Sequence, residues 1–326
     1  MHDMHDMHLP GLVNLGSTCY LNAVLQALAN TPCFVRFILS TAPAPTGGPS
    51  VTTYTVLRRV LADMWLHSSA SVSPYKLVEA LSPLLARHGI SVNEQCDAQE
   101  LYCLLSDCLC EAHAGATEIL RGTIQQNIIC GLCGASTKQT TAFTTLDVYL
   151  GCGGGEEEEE HDDVTSLIRK SFAQEQILDW SCDSCKSKRL VGCSRCSRCS
   201  AFTSRGIWST PSMLVVCIRR ATGLNACDLI RKEIIIDQCI PSTVLSGLSA
   251  SDSPASSRKQ LFDLSAVVTH CGSRHSGHYA TFIRLHLDAG DIQWVLYDDE
   301  TATPMKDLPR WVSHCVYMLF YSRILI

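Results

Sequence analysis

The stretch NLGSTCYLNAVLQALANTP, residues 14–32, combines a strong helix pattern with a cysteine at the start of the helix. Its apolar residues recur at the i, i+3, i+4, i+7 spacing of one buried helical face: Leu21, Val24, Leu25 and Leu28. Ser17 and Thr18 are both suitable N-cap residues, so Cys19 falls in the first turn. Unpaired backbone N–H groups and the helix dipole favour a thiolate there. The pattern predicts a reactive thiol of lowered pKa, with an ordinary small core residue as the alternative.

The composition is that of a folded protein. The chain has 326 residues, of which 46% are hydrophobic and 18% are charged, enough for one large domain or two ordinary ones. The net charge of -6 gives no support to nucleic-acid binding. No apolar run approaches the roughly 20 residues of a membrane span, so none is expected. Residues 1–7 are predicted to be a flexible tail, and they lack the hydrophobic region of a secretory signal.

Cysteine is unusually frequent, with 19 residues, an odd number that complete pairing would not produce. In a reducing compartment such a count is typical of metal ligands, a catalytic thiol and ordinary buried thiols. We therefore expect a cytosolic or nuclear protein.

The pattern changes along the chain from helical to extended. Up to about residue 114 it is mainly helical, and the segment that begins with Asn93 predicts an amphipathic helix with Asn93 as its N-cap. From about residue 122 the period is that of strands, which gives an α+β fold. Residues 151–163 form an acidic insertion and are predicted to be a solvated loop, like the serine-rich stretch 241–259. Alternation in residues 262–269 predicts a strand with one buried face.

Two C-x-x-C pairs point to a metal. Cys130 and Cys133, with Cys182 and Cys185, can form a closed tetrahedral Zn²⁺ site of the structural kind, holding one ion. The alternative is four unrelated thiols.

Three further cysteines follow the second pair at regular spacing: Cys193, Cys196 and Cys199. They can replace Cys182 or Cys185, bind a second ion weakly, or bind nothing.

A thiolate nucleophile needs a base, a group that orients the base, and donors for the oxyanion. His278 stands at the start of a predicted strand after a glycine-bearing loop. Asp298 and Asp299 end another strand that can lie beside it, so either carboxylate can orient the imidazole. His270 is a possible structural partner of His278.

Five motifs, in order, resemble those of the ubiquitin-specific proteases. The stretch GLVNLGSTCYLNAVLQAL resembles the family's cysteine box, and FDLSAVVTHCGSRHSGHYATFIR resembles its histidine box. QCDAQELYCLL, WVLYDDETATPM and CVYMLFYSR are similar to three further family segments. Together these matches span residues 11–323, nearly the whole chain.

The resemblance implies roles for individual residues. Cys19 matches the family's nucleophile, His278 its general base and acid, and Asp298 its orienting carboxylate, with Asp299 as the alternative. Asn14 matches the side chain of the oxyanion hole. The two C-x-x-C pairs match the zinc-bound fingers.

The resemblance also implies a substrate and an architecture. The family cleaves after the C-terminal Gly-Gly of ubiquitin; three positions match those that bind the ubiquitin tail: Asp97, Glu100 and Tyr279. The expected fold is a papain-like catalytic domain at residues 8–326, with a thumb at 8–115, fingers at 122–206 and a palm at 207–326. The chain is predicted to be a monomeric deubiquitinase. A protease for another ubiquitin-like modifier and a catalytically weak ubiquitin-binding scaffold are the alternatives.

Overall fold

A computed structural model describes most of the chain. The described residues are 9–44, 47–66, 71–91, 94–150, 162–188, 199–220, 231–245, 260–273, 276–287 and 290–325. The predicted tail and most of the acidic and serine-rich segments lie outside the described residues, as do Cys193 and Cys196.

The fold combines a helical layer with two larger sheets and two short strand pairs. The helices are α1 (Cys19–Ala29), α2 (Pro32–Ser40), α3 (Pro49–Leu66), α4 (Tyr75–Arg87), α5 (Ala98–Ala112), α6 (Ala116–Leu120), α7 (Val164–Ser171), α8 (Asp183–Lys188), α9 (Ser242–Leu245) and α10 (Val312–Cys315). The strands are β1 (Gly11–Leu12), β2 (Ser71–Val72), β3 (Gly122–Cys130), β4 (Ser136–Phe143), β5 (Leu146–Tyr149), β6 (Asp162–Asp163), β7 (Glu175–Trp180), β8 (Cys199–Ser209), β9 (Met213–Arg219), β10 (Ile234–Ile235), β11 (Cys239–Pro241), β12 (Gln260–Gly272), β13 (Gly277–His286), β14 (Ile292–Asp298), β15 (Thr301–Met305) and β16 (Val316–Leu325). The predicted α+β class is confirmed.

The larger sheet has eight strands in the order β15-β14-β13-β12-β16-β9-β5, with β11 added on β12. All its pairs are antiparallel except β5 with β9. The smaller sheet has the order β4-β3-β8-β7 and is antiparallel throughout. It carries the turn between β3 and β4 that the sequence predicts around its first cysteine pair.

The larger sheet is buried on both faces. One face packs against the helical layer, where Leu21 and Leu25 of α1 share a core with Ile283 of β13. The other face forms a second core that includes Phe282 of β13 and Leu167 of α7. Helix α1 is buried along its whole length, so the prediction of a single buried face is too narrow. Among the described residues no single helix is long and apolar enough to cross a membrane, although α1 and α2 together, bent by 87°, have that length and composition.

Strand β12 changes faces part-way along its length. A register shift relative to β16 falls between Leu264 and Ala266. Phe262 and Leu264 therefore belong to one core, whereas Ala266 and Val268 belong to the other. The predicted alternation over residues 262–269 with one buried face is wrong, because a bulge reverses which residues face which side.

Helix α5 begins later than the sequence pattern predicts. Asp97, and not Asn93, is its N-cap, with a carboxylate that accepts hydrogen bonds from the backbone N–H groups of Gln99 and Glu100. Residues 92–93 lie outside the described part of the chain.

The last two residues of the acidic insertion lie within the described part of the chain. Asp162 is buried and pairs with Lys170 and Lys232 at 2.6 and 2.9 Å. Asp163 caps α7, where its carboxylate accepts from the backbone N–H of Ser166. The prediction of a solvated loop is therefore wrong for these two residues, and residues 151–161 lie outside the described range.

Candidate active site

Cys19 is the first residue of α1 and is almost completely buried. The N-cap residue, Thr18, makes no side-chain hydrogen bond to the helix. Its hydroxyl accepts instead from the backbone N–H of Leu15 at 2.9 Å and lies 3.3 Å from the Asn14 side-chain oxygen. The first backbone N–H groups of the helix are thus left beside the thiol, where the sequence predicts them.

The electrostatic environment of the thiol differs from the sequence prediction. Burial raises the pKa of Cys19 above its ordinary value, and the negative charge of Asp299 adds to this rise. Backbone N–H groups of Tyr279, Tyr20 and Cys19 itself lower the pKa, without cancelling the rise. The predicted lowering by the helix terminus is therefore outweighed, because desolvation of a buried thiolate costs more than these hydrogen bonds return.

His278 is held by the neighbouring strand. Its Nε2 atom lies 2.6 Å from Oδ1 of Asp298, the last residue of β14. The two side chains are about half exposed, at 46% and 52%, which leaves the imidazole open to a substrate. Since Nε2 faces the carboxylate, Nδ1 is the ring nitrogen that remains for another partner.

Two contacts bring the strand of His278 against the helix of Cys19. The thiol lies close enough to the backbone N–H of Tyr279, the residue after His278, for that group to lower its pKa. One turn along α1, the Thr281 hydroxyl donates to the carbonyl of Ala23 at 2.9 Å. The nucleophile and the imidazole predicted from separate motifs are therefore adjacent in the fold.

A contact between the strand of His278 and the segment before a different helix was not predicted from the sequence. The Gln95 side chain donates to the Gly277 carbonyl at 3.0 Å and accepts from the Gly277 N–H at 3.1 Å. This pair of bonds joins the segment before α5 to the first residue of β13, directly before His278.

Asp299 makes contacts different from those of Asp298. Its carboxylate accepts from the side-chain amides of Asn14 at 2.7 Å and Asn22 at 2.8 Å. Its carbonyl accepts from the N–H of Leu12 at 2.7 Å, and its φ of 49° lies in the left-handed region. Asp299 thus fastens the end of β14 to the segment that precedes α1. Asn22 was missed, although a buried amide in a helix of mostly apolar residues is a signal that marks it.

The side chain of Asn14 has a fixed orientation. Its oxygen accepts from the backbone N–H groups of Gly16 at 3.0 Å and Thr18 at 3.2 Å. Its nitrogen therefore faces Asp299, and one of its two N–H groups is used there. The second N–H remains for a further acceptor.

The three predicted substrate-binding residues lie on α5 and β13. Asp97 is exposed, caps α5 and accepts from the Tyr317 hydroxyl at 2.6 and 2.7 Å. Glu100 is exposed in the first turn of the same helix. Tyr279 is buried and stacks on His270, with ring centroids 4.4 Å apart. His270 therefore packs on Tyr279, and Tyr317 is a neighbour that the sequence did not indicate.

The four predicted metal ligands converge at the tip of the smaller sheet. Their sulfur atoms all lie within 4.8 Å of one another, with Cys130 3.8 Å from Cys185 and Cys133 3.6 Å from Cys182. Four thiolates at about 2.3 Å from a tetrahedral Zn²⁺ ion are about 3.8 Å apart, so the cluster has the dimensions of such a site.

The electrostatics of this cluster suit a cation. Backbone N–H groups of Cys133 and Leu132 lower the pKa of Cys130 to about 6. The neighbouring thiols, Cys133 foremost, raise the pKa of Cys185. The negative charge of one thiolate thus opposes the ionisation of its neighbour. A bound cation would offset this repulsion and allow all four thiols to ionise.

Comparison with known proteins identifies the family. A sequence model described as "Ubiquitin carboxyl-terminal hydrolase" matches residues 10–321, nearly the whole chain. The chain belongs to the ubiquitin carboxyl-terminal hydrolase family.

Curated members of the ubiquitin carboxyl-terminal hydrolase family align with almost all of the chain. Ubiquitin carboxyl-terminal hydrolase 51 of Mus musculus is 24% identical over 96% of this chain and 51% of its own length. Ubiquitin carboxyl-terminal hydrolase 25 of Arabidopsis thaliana is 24% identical over 96% of this chain and 47% of its own length. Ubiquitin carboxyl-terminal hydrolase 22 of Homo sapiens is 26% identical over 97% of this chain and 66% of its own length. The chain thus spans about half to two thirds of the length of these relatives.

Solved structures with the same fold include the SAGA deubiquitinating module Ubp8/Sgf11/Sus1/Sgf73 bound to ubiquitin aldehyde. The match has a TM-score of 0.75 at 18% identity and covers 98% of this chain and 70% of that chain. The same module bound to monoubiquitin gives a TM-score of 0.73 at 18% identity. The predicted fold of a ubiquitin-specific protease catalytic domain is confirmed.

Proposed function

We propose that this protein is a thiol-dependent deubiquitinase that hydrolyses the peptide or isopeptide bond after the C-terminal Gly-Gly of ubiquitin. The observation that carries the proposal is the position of the Cys19 thiol, against the backbone next to His278, whose imidazole is held by Asp298. Membership of the ubiquitin carboxyl-terminal hydrolase family supports the substrate. So do the ubiquitin complexes in which the Ubp8 module of the same fold was solved.

In the first step the imidazole of His278 takes the proton of Cys19. The sulfur then attacks the carbonyl carbon of the terminal glycine, and the proton passes from the imidazole to the departing amine. A water molecule, deprotonated by the same imidazole, hydrolyses the thioester. Asp298 keeps the ring oriented with Nδ1 towards the thiol and stabilises its protonated form.

The raised pKa of Cys19 fits this sequence of steps. A thiol that stays protonated until substrate arrives needs the base to form the nucleophile, and the substrate carbonyl then takes up the charge. The nucleophile is thus formed by proton transfer within the site.

The oxyanion of each tetrahedral intermediate is bound by Asn14 and by the backbone N–H of Cys19. Hydrogen bonds to Gly16, Thr18 and Asp299 fix the Asn14 amide in advance, so it does not reorganise during the reaction. In this proposal Asp299 positions the donor, and Asp298 positions the base.

Ubiquitin recognition at the cleft is assigned to Asp97, Glu100 and Tyr279. The two carboxylates are exposed at one helix terminus and suit the arginines of the ubiquitin tail. The Tyr279 ring lines the passage for the two glycines from its place against His270. The net charge of -6 favours a basic partner surface.

One zinc ion held by Cys130, Cys133, Cys182 and Cys185 completes the proposal. The ion would supply a structural clip at the tip of the smaller sheet. Helices α1–α5 then correspond to the thumb, the smaller sheet to the fingers and the larger sheet to the palm, and β5 belongs to the larger sheet although it lies within residues 122–206. A monomeric state and a location in the cytosol or nucleus stay predictions. The free thiols of the proposed site fit the reducing conditions of those compartments.

The experiment that tests the proposal is hydrolysis of ubiquitin carrying a C-terminal fluorogenic amide. Wild-type protein should release the fluorophore with turnover, and Cys19→Ala should release none. Parallel substrates made from other ubiquitin-like modifiers identify the alternative protease. Saturable ubiquitin binding without turnover would instead identify a scaffold and overturn the proposal.

A further inference from the structure

A fifth cysteine lies beside the four-thiol cluster. The sulfur of Cys199 is 3.4 Å from that of Cys130, shorter than either sulfur distance measured within the cluster. Cys199 nevertheless falls outside the group of four sulfurs that lie mutually within 4.8 Å. It therefore touches one ligand and does not share the centre. Of the three alternatives for the later cysteines, replacement of Cys182 or Cys185 by Cys199 is the one that this geometry disfavours.

The two strands that carry these cysteines hold them together. Cys130 is the last residue of β3 and pairs with Ala201 of β8, so Cys199, two residues before Ala201, faces the same side of the sheet. The N–H of Gly131 donates to the carbonyl of Ser200 at 2.9 Å and extends the pairing one residue beyond Cys130, up to the residue next to Cys199. The approach of the two sulfurs thus follows from the strand register, which fixes both ends of the contact.

Cys199 is also more accessible than the ligand it touches. Cys130 is 2% exposed, whereas Cys199 is half-buried, and its thiol lies 3.3 Å from the Trp180 carbonyl. A small oxidant can reach Cys199, and the product then lies against Cys130. Two sulfurs at 3.4 Å must approach to about 2.0 Å to form a disulfide.

We propose that Cys199 is an oxidation site that forms a disulfide with Cys130 and thereby dismantles the metal site. Hydrogen peroxide is the oxidant. The Cys199 thiolate attacks one peroxide oxygen, the O–O bond breaks, and a sulfenic acid and hydroxide form. The Cys130 thiolate then attacks the sulfenic sulfur, the S–S bond forms, and the S–O bond breaks with release of a second hydroxide. The two sulfurs lose two electrons, the peroxide gains them, and protons from the Cys199 thiol and from the medium convert both hydroxides to water.

Formation of this disulfide removes the proposed metal cross-link at the tip of the smaller sheet. After oxidation three thiolates remain for the ion, too few for a closed structural site, and the metal dissociates. Two molecules of a thiol reductant such as glutathione restore both thiols. The inference rests on the zinc site proposed above and is independent of the hydrolytic activity.

The test uses the full-length protein, purified under reducing conditions and freed of reductant. Hydrogen peroxide is added with a chromogenic chelator present, zinc release is followed, and non-reduced peptides are mapped by mass spectrometry. We expect a Cys130–Cys199 cross-link to appear in parallel with zinc release, and both to reverse with glutathione. Cys199→Ser should lose the cross-link and release zinc several-fold more slowly, whereas Cys110→Ser, which removes a thiol from α5, should match the wild type.

Two further measurements keep the outcomes separate. With Co²⁺ in place of zinc, the Cys199→Ser variant should retain the absorption of a four-thiolate site. The Cys185→Ser variant should lose part of this absorption, because Cys185 is one of the four proposed ligands and Cys199 is not. Absence of zinc from untreated protein would refute the metal site itself. Bound zinc that is released from Cys199→Ser at the wild-type rate, or a cross-link that omits Cys199, would overturn the inference.

Discussion

Among single residues, the adjacent aspartates at the end of β14 divide two tasks. Asp298 contacts the imidazole of His278, whereas Asp299 contacts the amides of Asn14 and Asn22. The backbone of Asp299 is left-handed, and its carboxylate reaches the amides of Asn14 and Asn22 while it stays within 4.8 Å of the ligand atoms of His278 and Asp298. The hydrogen bonds therefore assign Asp298 to the base and Asp299 to the oxyanion donor.

Replacing each aspartate by asparagine separates the two tasks. Asp298→Asn should lower kcat for a fluorogenic ubiquitin substrate by about 10²- to 10⁴-fold, because the imidazole loses its orienting charge. Asp299→Asn should lower kcat less, by about 10- to 100-fold, because the side-chain oxygen of the new asparagine can still accept the hydrogen bond from Asn14. A larger loss at Asp299 than at Asp298 would assign the orienting role to Asp299.

The raised pKa of Cys19 predicts how its reactivity depends on pH. Iodoacetamide alkylates the thiolate, so alkylation of the Cys19 peptide, followed by mass spectrometry, should keep rising with pH beyond 9.0, the ordinary value for the thiol. Asp299→Asn removes a negative charge that raises this pKa, so its profile should move to lower pH. A plateau below pH 8 in the wild type would contradict the account.

At the scale of secondary-structure elements, the site depends on how α1, α5 and β13 are joined. The joint between α5 and β13 is the double hydrogen bond between Gln95 and Gly277. Glycine is required there, because an added Cβ would overlap the His270 ring and approach the Cys271 carbonyl to 2.9 Å. The backbone can therefore come close enough for Gln95 to bind both of its polar groups.

Removing this joint should loosen His278 without unfolding the protein. Gln95→Ala should lower kcat about fivefold, the equivalent of about 1 kcal/mol for two exposed hydrogen bonds, and hydrogen exchange at Gly277 should accelerate. Gln139→Ala, an exposed glutamine on β4, is the matched control and should change neither quantity. Unchanged exchange and kcat in Gln95→Ala would show that the joint has no functional part.

The ordered end of the acidic insertion gives a prediction about stability. Burial opposes ionisation of Asp162, but its hydrogen bonds and charge interactions with Lys170 and Lys232 outweigh burial and hold its pKa below 3.8. A carboxyl group whose pKa is depressed by folding stabilises the native state above its unfolded pKa. That stabilisation is lost as pH falls through the folded value.

Asp162→Asn should therefore reduce the free energy of unfolding by about 1–2 kcal/mol at pH 7, a value discounted for the exposure of both lysines. The difference from the wild type should shrink as urea titrations move from pH 5 to pH 3. Asp107→Asn breaks an exposed pair with Arg121 and should cost under about 1 kcal/mol. A difference for Asp162→Asn that is independent of pH would exclude the charge as its cause.

The sequence predicted features that depend on neighbouring residues, but it did not predict contacts between residues far apart in the chain. Helix α1, the turn of the first cysteine pair and the strand of His278 follow from spacing within short segments. The bonds from Asn22 to Asp299, Gln95 to Gly277 and Tyr317 to Asp97 join residues 277, 182 and 220 positions apart. No periodicity encodes them, and the bulge in β12 and the burial of Asp162 likewise depend on partners from other elements.

In the whole molecule, the candidate site lies where the helical layer meets the eight-stranded sheet. The helical layer contributes the thiol at the start of α1, and the sheet contributes the imidazole and its carboxylate from β13 and β14. Both are anchored in the core that the helices and this face of the sheet share. The smaller sheet carries the cluster of thiols and none of the residues assigned to the proposed hydrolysis.

Covalent capture tests the central claim most directly. Ubiquitin with a C-terminal alkyne or vinyl electrophile should add once to the wild-type protein, and peptide mapping should find the new bond on the sulfur of Cys19. His278→Ala should react more slowly, and Cys19→Ala should not react. Capture on a different cysteine, or equal capture by Cys19→Ala, would contradict the assignment of this thiol as the nucleophile.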